Sequence, residues 1–364
     1  MKYINRLLVL LFVSSMISCA HRGDKMAMGE VKYVAAFPQS AELSLIDDFN
    51  CDEIGLRSVR LIDSLLILSH DKYWTVLSTD AKRKYGTCLS VGGGPNEFVF
   101  TPKCAAAAYR TEGNSLVAYV CDKNRGKLSR FNVSKFIATG KDSLEQVFNS
   151  ERMNNTVWDV IAIGRDSVLM QVPDESFTYL HRHVLTQDSL WEPEMTKLTE
   201  NTKVEPSSDL NILAKVTRCR PDGKRCVEAM LYLNQLNVYD TDGSSAMTIC
   251  VGEDLDDVAF VESQWNVARK ETYESVTAFD FGFGALYSGS VMDQSGYEAR
   301  NSEMHFFTWD GVPVFKAVLP IRALSFDIDP KSGMLYAIDA EEDTLVAFDA
   351  SGILDAYRAS TGMQ

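Results

Sequence analysis

The chain has 364 residues, 46% hydrophobic and 10% aromatic, which is ample apolar material for a large core. Its 50 Asp and Glu outnumber 36 Lys and Arg, leaving a net charge of −14. That balance argues against a nucleic-acid partner, because phosphate backbones demand clustered cations.

Lys2 and Arg6 precede an apolar run, Leu7 to Val13, that is far too short to cross a bilayer as a resident helix. The run leads to Met16-Ile17-Ser18-Cys19, which resembles a bacterial lipobox with Met16 where leucine is usual. The resemblance implies cleavage before Cys19 and lipidation of its thiol, several acyl chains making the attachment stable. Residues 1–18 are then a lipoprotein signal peptide, 19–30 a lipidated polar tether and 31–364 the folded body. The membrane is met through the lipid anchor alone. Surface-exported lipoproteins of some bacteria tend to carry acidic residues directly after the cysteine. Here the order is Ala20-His21-Arg22-Gly23-Asp24, so the expected location is the outer membrane, facing the periplasm.

Beyond the tether, short apolar runs with β-rich alternation are separated by Asp-Gly, Ser-Gly and Asp-Ser turn signals. One ladder of turns, each before a short apolar strand, stands at Asp63, Gly113, Asp166, Asp222, Gly282 and Ser332, in steps of 50 to 60 residues. A second ladder closes strands at Asp80, Ser134, Asp188, Asp242, Asp310 and Ser351, with three steps of 54 followed by 68 and 41. Six units of about fifty residues, each of four short strands, predict an all-β chain folded as a six-bladed β-propeller of four-stranded antiparallel blades. One blade has two apolar faces and cannot bury both alone, whereas six in a ring bury each face against a neighbour. Two stacked β-sandwiches are the runner-up, but they give no reason for six equal steps. The ring is expected to close through an N-terminal strand, Val31 to Phe37, pairing outside Ile353 to Arg358.

Leu286-Tyr287-Ser288-Gly289, Phe306-Phe307-Thr308-Trp309-Asp310-Gly311 and Leu335-Tyr336-Ala337-Ile338 resemble the closing blades of the TolB-like six-bladed β-propeller lipoproteins of Bacteroidetes. Gly92-Gly93-Gly94-Pro95-Asn96-Glu97-Phe98 is similar to that family's Gly-x-Gly-Pro-Gly-Glu-Phe loop, with Asn96 where glycine is usual. The resemblance covers nearly all of the mature chain, the middle third in rhythm only. It implies fold and location more than chemistry.

With strands a to d numbered from the axis outward, the first ladder is the a–b turns and the second the c–d turns, on one face. The b–c loops and d–a crossovers share the other face, where propellers usually bind. That face should collect His70 and Asp71, Asn96 and Glu97, Asp122 and Arg125, Asp174 and Glu175, and Glu341. The crossover from Glu253 to Glu274 carries an amphipathic stretch (Val258, Val261, Trp265, Ala268) suited to a short helix over the same face.

Seven of the eight cysteines remain once Cys19 is set aside, and the compartment permits disulfides. Cys219 and Cys226 flank Pro221-Asp222-Gly223. A two-residue Asp-Gly turn sets them opposite, whereas Pro221 favours a type I turn with a bulge at Gly223 that slips the register by one, so both pairings stay open. Cys51, Cys88, Cys104, Cys121 and Cys250 read as buried thiols.

The glycine loop at 92–94 lacks the Gly-Lys-Ser/Thr of a phosphate loop and reads as a sharp crossover in which Glu97 accepts from freed backbone N–H groups. Asp240-Thr241-Asp242-Gly243 and Asp327-Ile328-Asp329 lack the further ligands of a calcium loop. No cofactor is predicted from a linear motif, although calcium in the central channel, as in lactonase-type six-bladed propellers, would leave none. His181 and His183 share one side of a strand without a third ligand nearby in sequence. Arg218, Arg220, Lys224 and Arg225 make a small basic patch on an a–b hairpin. Asp-Ser/Thr-aliphatic triplets such as Asp63-Ser64-Leu65 and Asp343-Thr344-Leu345 resemble an O-glycosylation signal, and any turn entering a strand also generates them.

Together these features describe a lipid-anchored, non-catalytic binding or scaffolding propeller that engages a protein or glycan through the b–c/d–a face. The alternative is a metal-dependent hydrolase or lactonase, with three or four carboxylate or amide side chains converging in the axial channel.

Overall fold

Six small antiparallel sheets stand in a ring in the computed structural model, which describes residues 25–94, 96–153, 157–191, 212–264, 268–293, 296–297 and 301–362. The leader and Cys19 lie outside the described residues. Blade one comprises Leu56–Ile62, Leu65–His70, Trp74–Ser78 and Lys84–Cys88 from the axis outward. Blade two comprises Ala108–Glu112, Ser115–Asp122, Lys127–Asn132 and Leu144–Asn149, and blade three Asp159–Ala162, Ser167–Pro173, Leu180–Thr186 and Leu190–Trp191. Blade four is Lys215–Cys219, Arg225–Met230, Gln235–Asp240 and Ala246–Val251. Blade five is Tyr273–Ala278, Phe283–Tyr287, Glu303–Phe307 and Pro313–Val318. Blade six has three antiparallel strands, Ala323–Ile328, Met334–Asp339 and Thr344–Asp349.

The second strands are apolar nearly throughout because both faces of a blade are covered. Leu66, Ile67 and Leu68 are all fully buried. Leu66 and Leu68 face blade six, while Ile67 faces blade two. Between blades one and two, Ile67, Trp74 and Val76 pack on Leu116, Ala118, Phe131 and Phe136. Blade six meets blade one through Tyr336, Ile338, Leu345 and Ala347 against Leu56, Val59, Leu66 and Leu68. Each such side chain taken wholly out of water stabilises the fold by about 1.5–3 kcal/mol. Hydrogen bonds lock this last contact: Leu61 N–H donates to Asp327 Oδ2 at 2.7 Å, and the Tyr336 hydroxyl to Thr79 O at 3.0 Å.

Blades three and four meet differently. Gln171 Nε2 donates to Thr217 Oγ1 at 2.8 Å and to Glu228 Oε1 at 2.9 Å. Arg182 grips the same carboxylate with Nε at 2.8 Å and Nη2 at 2.6 Å, and the Tyr239 hydroxyl donates to it at 2.9 Å. All five side chains are buried. Burial alone would raise the Glu228 carboxyl, but Arg182 and Lys215 hold it below its ordinary value. This charge is compensated by several donors, which is the condition for keeping it inside.

The seam differs from the expectation. Ile353 to Arg358 form no strand: they belong to the helix Ser351–Thr361, whose Tyr357 is buried with its hydroxyl donating to Phe283 O at 2.9 Å and Phe307 O at 3.0 Å. The N-terminal segment instead runs round the outside of three blades. Glu30–Val34 pairs in parallel with Ala246–Val251 of blade four, and Ser40–Glu42 with Pro313–Val318 of blade five. Leu45 and Ile54 then bridge the outer strand of blade six at Phe348 and Thr344 before the chain enters blade one. Parallel pairing satisfies edge groups that the blades leave open. Residues 25–30, expected within the tether, are therefore packed: Met26 and Met28 are buried, and Met28 N–H donates to Thr248 Oγ1 at 2.6 Å. Of the c–d turns, the one after Asn132 is a helix, Val133–Thr139, started by the Asn132 side chain accepting from Lys135 N–H.

Cys219 and Cys226 lie directly opposite and form a disulfide. Both halves of the turn argument contribute. Gly223 N–H bonds Arg220 O at 2.7 Å, and Gly223 sits at φ +74°. The loop nevertheless closes with Arg220 N–H on Arg225 O, which keeps the register even. Cys51, Cys88, Cys104 and Cys250 are buried and Cys121 is half-buried, all as free thiols. No helix among the described residues is long and apolar enough to cross a membrane.

Candidate binding face and axial channel

The b–c loops and d–a crossovers share one face, but the residues assigned to it divide into two groups. Asp71, Asn96, Glu175 and Glu341 are exposed there. His70 is not available: it is buried, with Nδ1 3.1 Å from Ile54 O and Nε2 3.0 Å from Thr75 Oγ1. Burial pulls its pKa below the ordinary value although Glu53 lies 3.6 Å away. Asp122 is also buried, its Oδ1 accepting from Arg125 N–H at 3.2 Å. Asp174 organises its own loop, accepting from Thr178 N–H at 2.7 Å, Tyr179 N–H at 3.0 Å and the Ser176 hydroxyl at 2.6 Å. Against the upward push of desolvation, these donors hold its carboxyl low.

The glycine loop is a crossover, with Glu97 Oε2 accepting from Gly94 N–H at 2.6 Å. A Cβ on Gly92 would fall 2.1 Å from that carboxylate, so a side chain there would have to displace Glu97. Arg125, from blade two, donates to the carbonyls of Gly92, Gly94 and Glu97. Asp71 takes Arg57 Nε at 2.9 Å, while Arg57 Nη1 reaches Asp343 Oδ1 at 2.8 Å and ties blades one and six. Asp71 is held low by Arg57.

Apolar side chains were missed by sequence reasoning. Of nine exposed large hydrophobics among the described residues, five stand on this face: Ile54, Val99, Phe100, Phe177 and Phe260. Phe100 is 71% exposed in the crossover from blade one to two, and Phe260 is 63% exposed on the helix Val258–Ser263. That helix lies within the stretch expected to be helical, capped by Asp257 with Val258 buried. Phe177, 60% exposed in the blade-three b–c loop, is held at φ +59°, which costs a bulky residue about 1–2 kcal/mol. In the sequence, isolated phenylalanines between strands look no different from core residues.

The six inner strands surround a channel that widens into two adjoining cavities. One, of about 300 Å³, lies at the a–b turn end and is lined from all six blades, with Arg60, Arg110, Arg218 and Asp327 among its walls. The other, of about 330 Å³, lies on the b–c/d–a side between blades two, three and four, with Phe100, Lys103, Asp159, Lys215 and Arg218. Ala106, Ala107 and Arg218 line both. Arg60 pairs with Asp327 at 3.2 Å, and burial still pushes the Asp327 carboxyl up. Among the described residues Arg110 bonds backbone carbonyls, those of Tyr109, Ile163 and Pro221, and so ties blade two to blades three and four.

Arg218 is 9% exposed; its Nη1 donates to Thr217 O at 2.7 Å, while Nε is buried with no partner among the described residues. It is thus no part of a hairpin-tip patch. The patch is dispersed, since Arg220 pairs with Asp222 at 2.7 Å and Arg225 with Asp240 and Asp310, each at 3.4 Å. Burial pushes the Lys215 ammonium down to about 8, against the pull of Glu228. A signal for the channel was legible: Arg60 and Arg110 each stand three residues before an a–b turn, in strands otherwise destined for the axis.

The hydrolase alternative called for carboxylates or amides converging here, but the channel is rich in guanidinium and ammonium groups. Among the described residues no group of three or more His, Cys, Asp or Glu gathers as a metal site. His181 and His183 stack with ring centroids 6.0 Å apart.

No protein-family model matches the chain, and no curated protein matches it. Among solved structures it is similar to a member of the DUF4221 family from Bacteroides vulgatus, at 10% identity over 90% of this chain and 98% of that one, with a TM-score of 0.50. It is also similar to U3-55K, at 10% identity over 86% of this chain and 99% of that one, TM-score 0.45. At 10% identity the first likeness speaks for the fold alone, and the second carries no argument.

Proposed function

We propose that this chain is a lipid-anchored, non-catalytic binding propeller at the outer membrane, facing the periplasm, and that it engages a protein through its b–c/d–a face. The observation that carries the reading is the set of exposed apolar side chains on that face, Phe100, Phe177 and Phe260 above all. Large apolar groups rimmed by polar loops mark contact surfaces, and aromatic anchors supply much of the binding energy at such surfaces. The anchor is supported by the lipobox-like Met16-Ile17-Ser18-Cys19 after a short apolar run. A glycan in place of a protein is an outcome that crosslinking separates.

Crosslinking in cells, with recovery of the tagged chain, should yield a partner that is lost when Phe177 and Phe260 are changed to Ser. The partner should be kept when Val312, exposed beyond a c–d turn, is changed instead. Retention of every recovered protein by the Phe177→Ser/Phe260→Ser variant would sink the reading, as would recovery of glycan alone. Cys19→Ser should move the chain from the membrane to the soluble fraction.

A further inference from the structure

We propose that the channel cavity on the b–c/d–a side is a binding site for an oxyanion, the carboxylate, phosphate or sulfate group of a small molecule, held by Arg218, Lys215 and Lys103. Four cations line this cavity, Lys103, Lys123, Lys215 and Arg218, against two carboxylates, Asp122 and Asp159. Lys123 is taken up by Trp158 O at 2.9 Å, and Asp122 by Arg125. The other three cations, Lys103, Lys215 and Arg218, share the cavity wall with one further carboxylate, Asp159, and Lys215 is also drawn by Glu228 of blade four, but none of the three makes an ion pair within 4 Å among the described residues.

The contrast with the rest of the molecule gives this weight. Acidic residues are in surplus, and three other arginines use them: Arg182 meets Glu228 at 2.6 Å, Arg60 meets Asp327 at 3.2 Å and Arg322 meets Glu274 at 3.0 Å, while Arg110 is taken up by three backbone carbonyls. A buried guanidinium normally keeps a partner, because leaving its donors unmade carries the full desolvation cost. Arg218 is nine-tenths buried, lines the cavity and leaves Nε unpartnered among the described residues. A partly enclosed cavity whose walls carry more positive than negative charge focuses the field and draws in anions although the chain as a whole is acidic. The planar fork of Arg218 suits a carboxylate or a tetrahedral oxyanion, and the two ammonium groups add charge without fixing geometry. A volume of about 330 Å³ suits a small molecule, and Phe100 at the wall offers an apolar surface to the rest of it.

The test is calorimetric titration of the full chain with sodium sulfate, sodium phosphate, sodium glucuronate and glucose, at ionic strength held constant with chloride. Saturable one-to-one binding of at least one oxyanion is expected, with glucose silent. Arg218→Met should weaken binding roughly tenfold or more, and Arg218→Lys by less. The ranking of glucuronate against sulfate and phosphate tells which class the site prefers. If Arg218→Met fails to fold, the Lys103→Met/Lys215→Met variant, its fold checked by circular dichroism, carries the same expectation. The proposal is overturned if no oxyanion binds above chloride, if glucose binds as well as glucuronate, or if the folded variants bind as tightly as the parent.

Discussion

His70 and His305 have opposite sequence neighbourhoods but the same physical situation. Each is buried, and each has its pKa lowered by burial below the ordinary 6.5 although a glutamate stands close, Glu53 at 3.6 Å and Glu303 at 3.3 Å. A group whose folded pKa is depressed takes up protons more readily when unfolded. Its contribution to stability is therefore complete above about 6.5 and is lost as the pH falls through the folded value. The melting temperature should drop on acidification from pH 7.5 to 5.5, and the His70→Gln/His305→Gln variant should drop less. Asp142 and Asp327, both raised by burial, act in the opposite sense from 3.8 upward, so the difference between variant and parent isolates the imidazoles. An equal drop in both proteins would refute the assignment. In the sequence His70 reads as a loop-face residue because it ends a strand. Only the fold reveals that Ile54 O and Thr75 Oγ1 enclose it.

Among the elements, the hairpin from Lys215 to Met230 shows how local chemistry and packing combine. Its turn places Gly223 at φ +74°, where a side chain is strained. A Cβ there would also lie 1.7 Å from Ile163 O of blade three, a backbone atom with no freedom to swing away. Gly223→Ala should therefore cost about 1–3 kcal/mol, read as a lowered urea midpoint with an unchanged slope. A midpoint within error of the parent would show that this tip does not dock against blade three. The turn residues were legible in the sequence, and so was the candidate disulfide. The register was not, since it depends on whether the loop closes at Arg220 and Arg225 or one residue short. The helix Ser351–Thr361 was read as a strand edge although its buried residues Ile353, Leu354, Ala356 and Tyr357 recur at helical spacing and Asp355 interrupts any alternation.

The whole molecule is held closed by its N-terminal belt. Residues 30–45 pair in turn with the outer strands of blades four, five and six, and Thr248 fixes Met28 across 220 positions of sequence. Deleting residues 25–45 exposes three strand edges and the apolar cover over blade four. The expected result is a melting temperature lower by roughly 10 °C or more, with aggregates in size-exclusion chromatography. A monomeric truncation that melts with the parent would show that the blades close without it.

Period and turn chemistry are local, so the chain by itself determined the features that rest on them: six units, the four-stranded rhythm of five of them, the a–b ends, and the crossover at Gly92. Contacts between blades join residues well separated in sequence, 46 positions for Arg182 and Glu228, and the belt joins residues more than two hundred apart, so no pattern along the chain reports them. Only the tertiary structure decided where the N-terminal segment lies, which carboxylate meets Arg182 between blades three and four, and that Arg218 faces the axis with no ion pair within 4 Å among the described residues. Charge pairing depends on distance in space. Along the chain Arg218 stands among other cations, whereas in the ring its setting is an enclosed cavity.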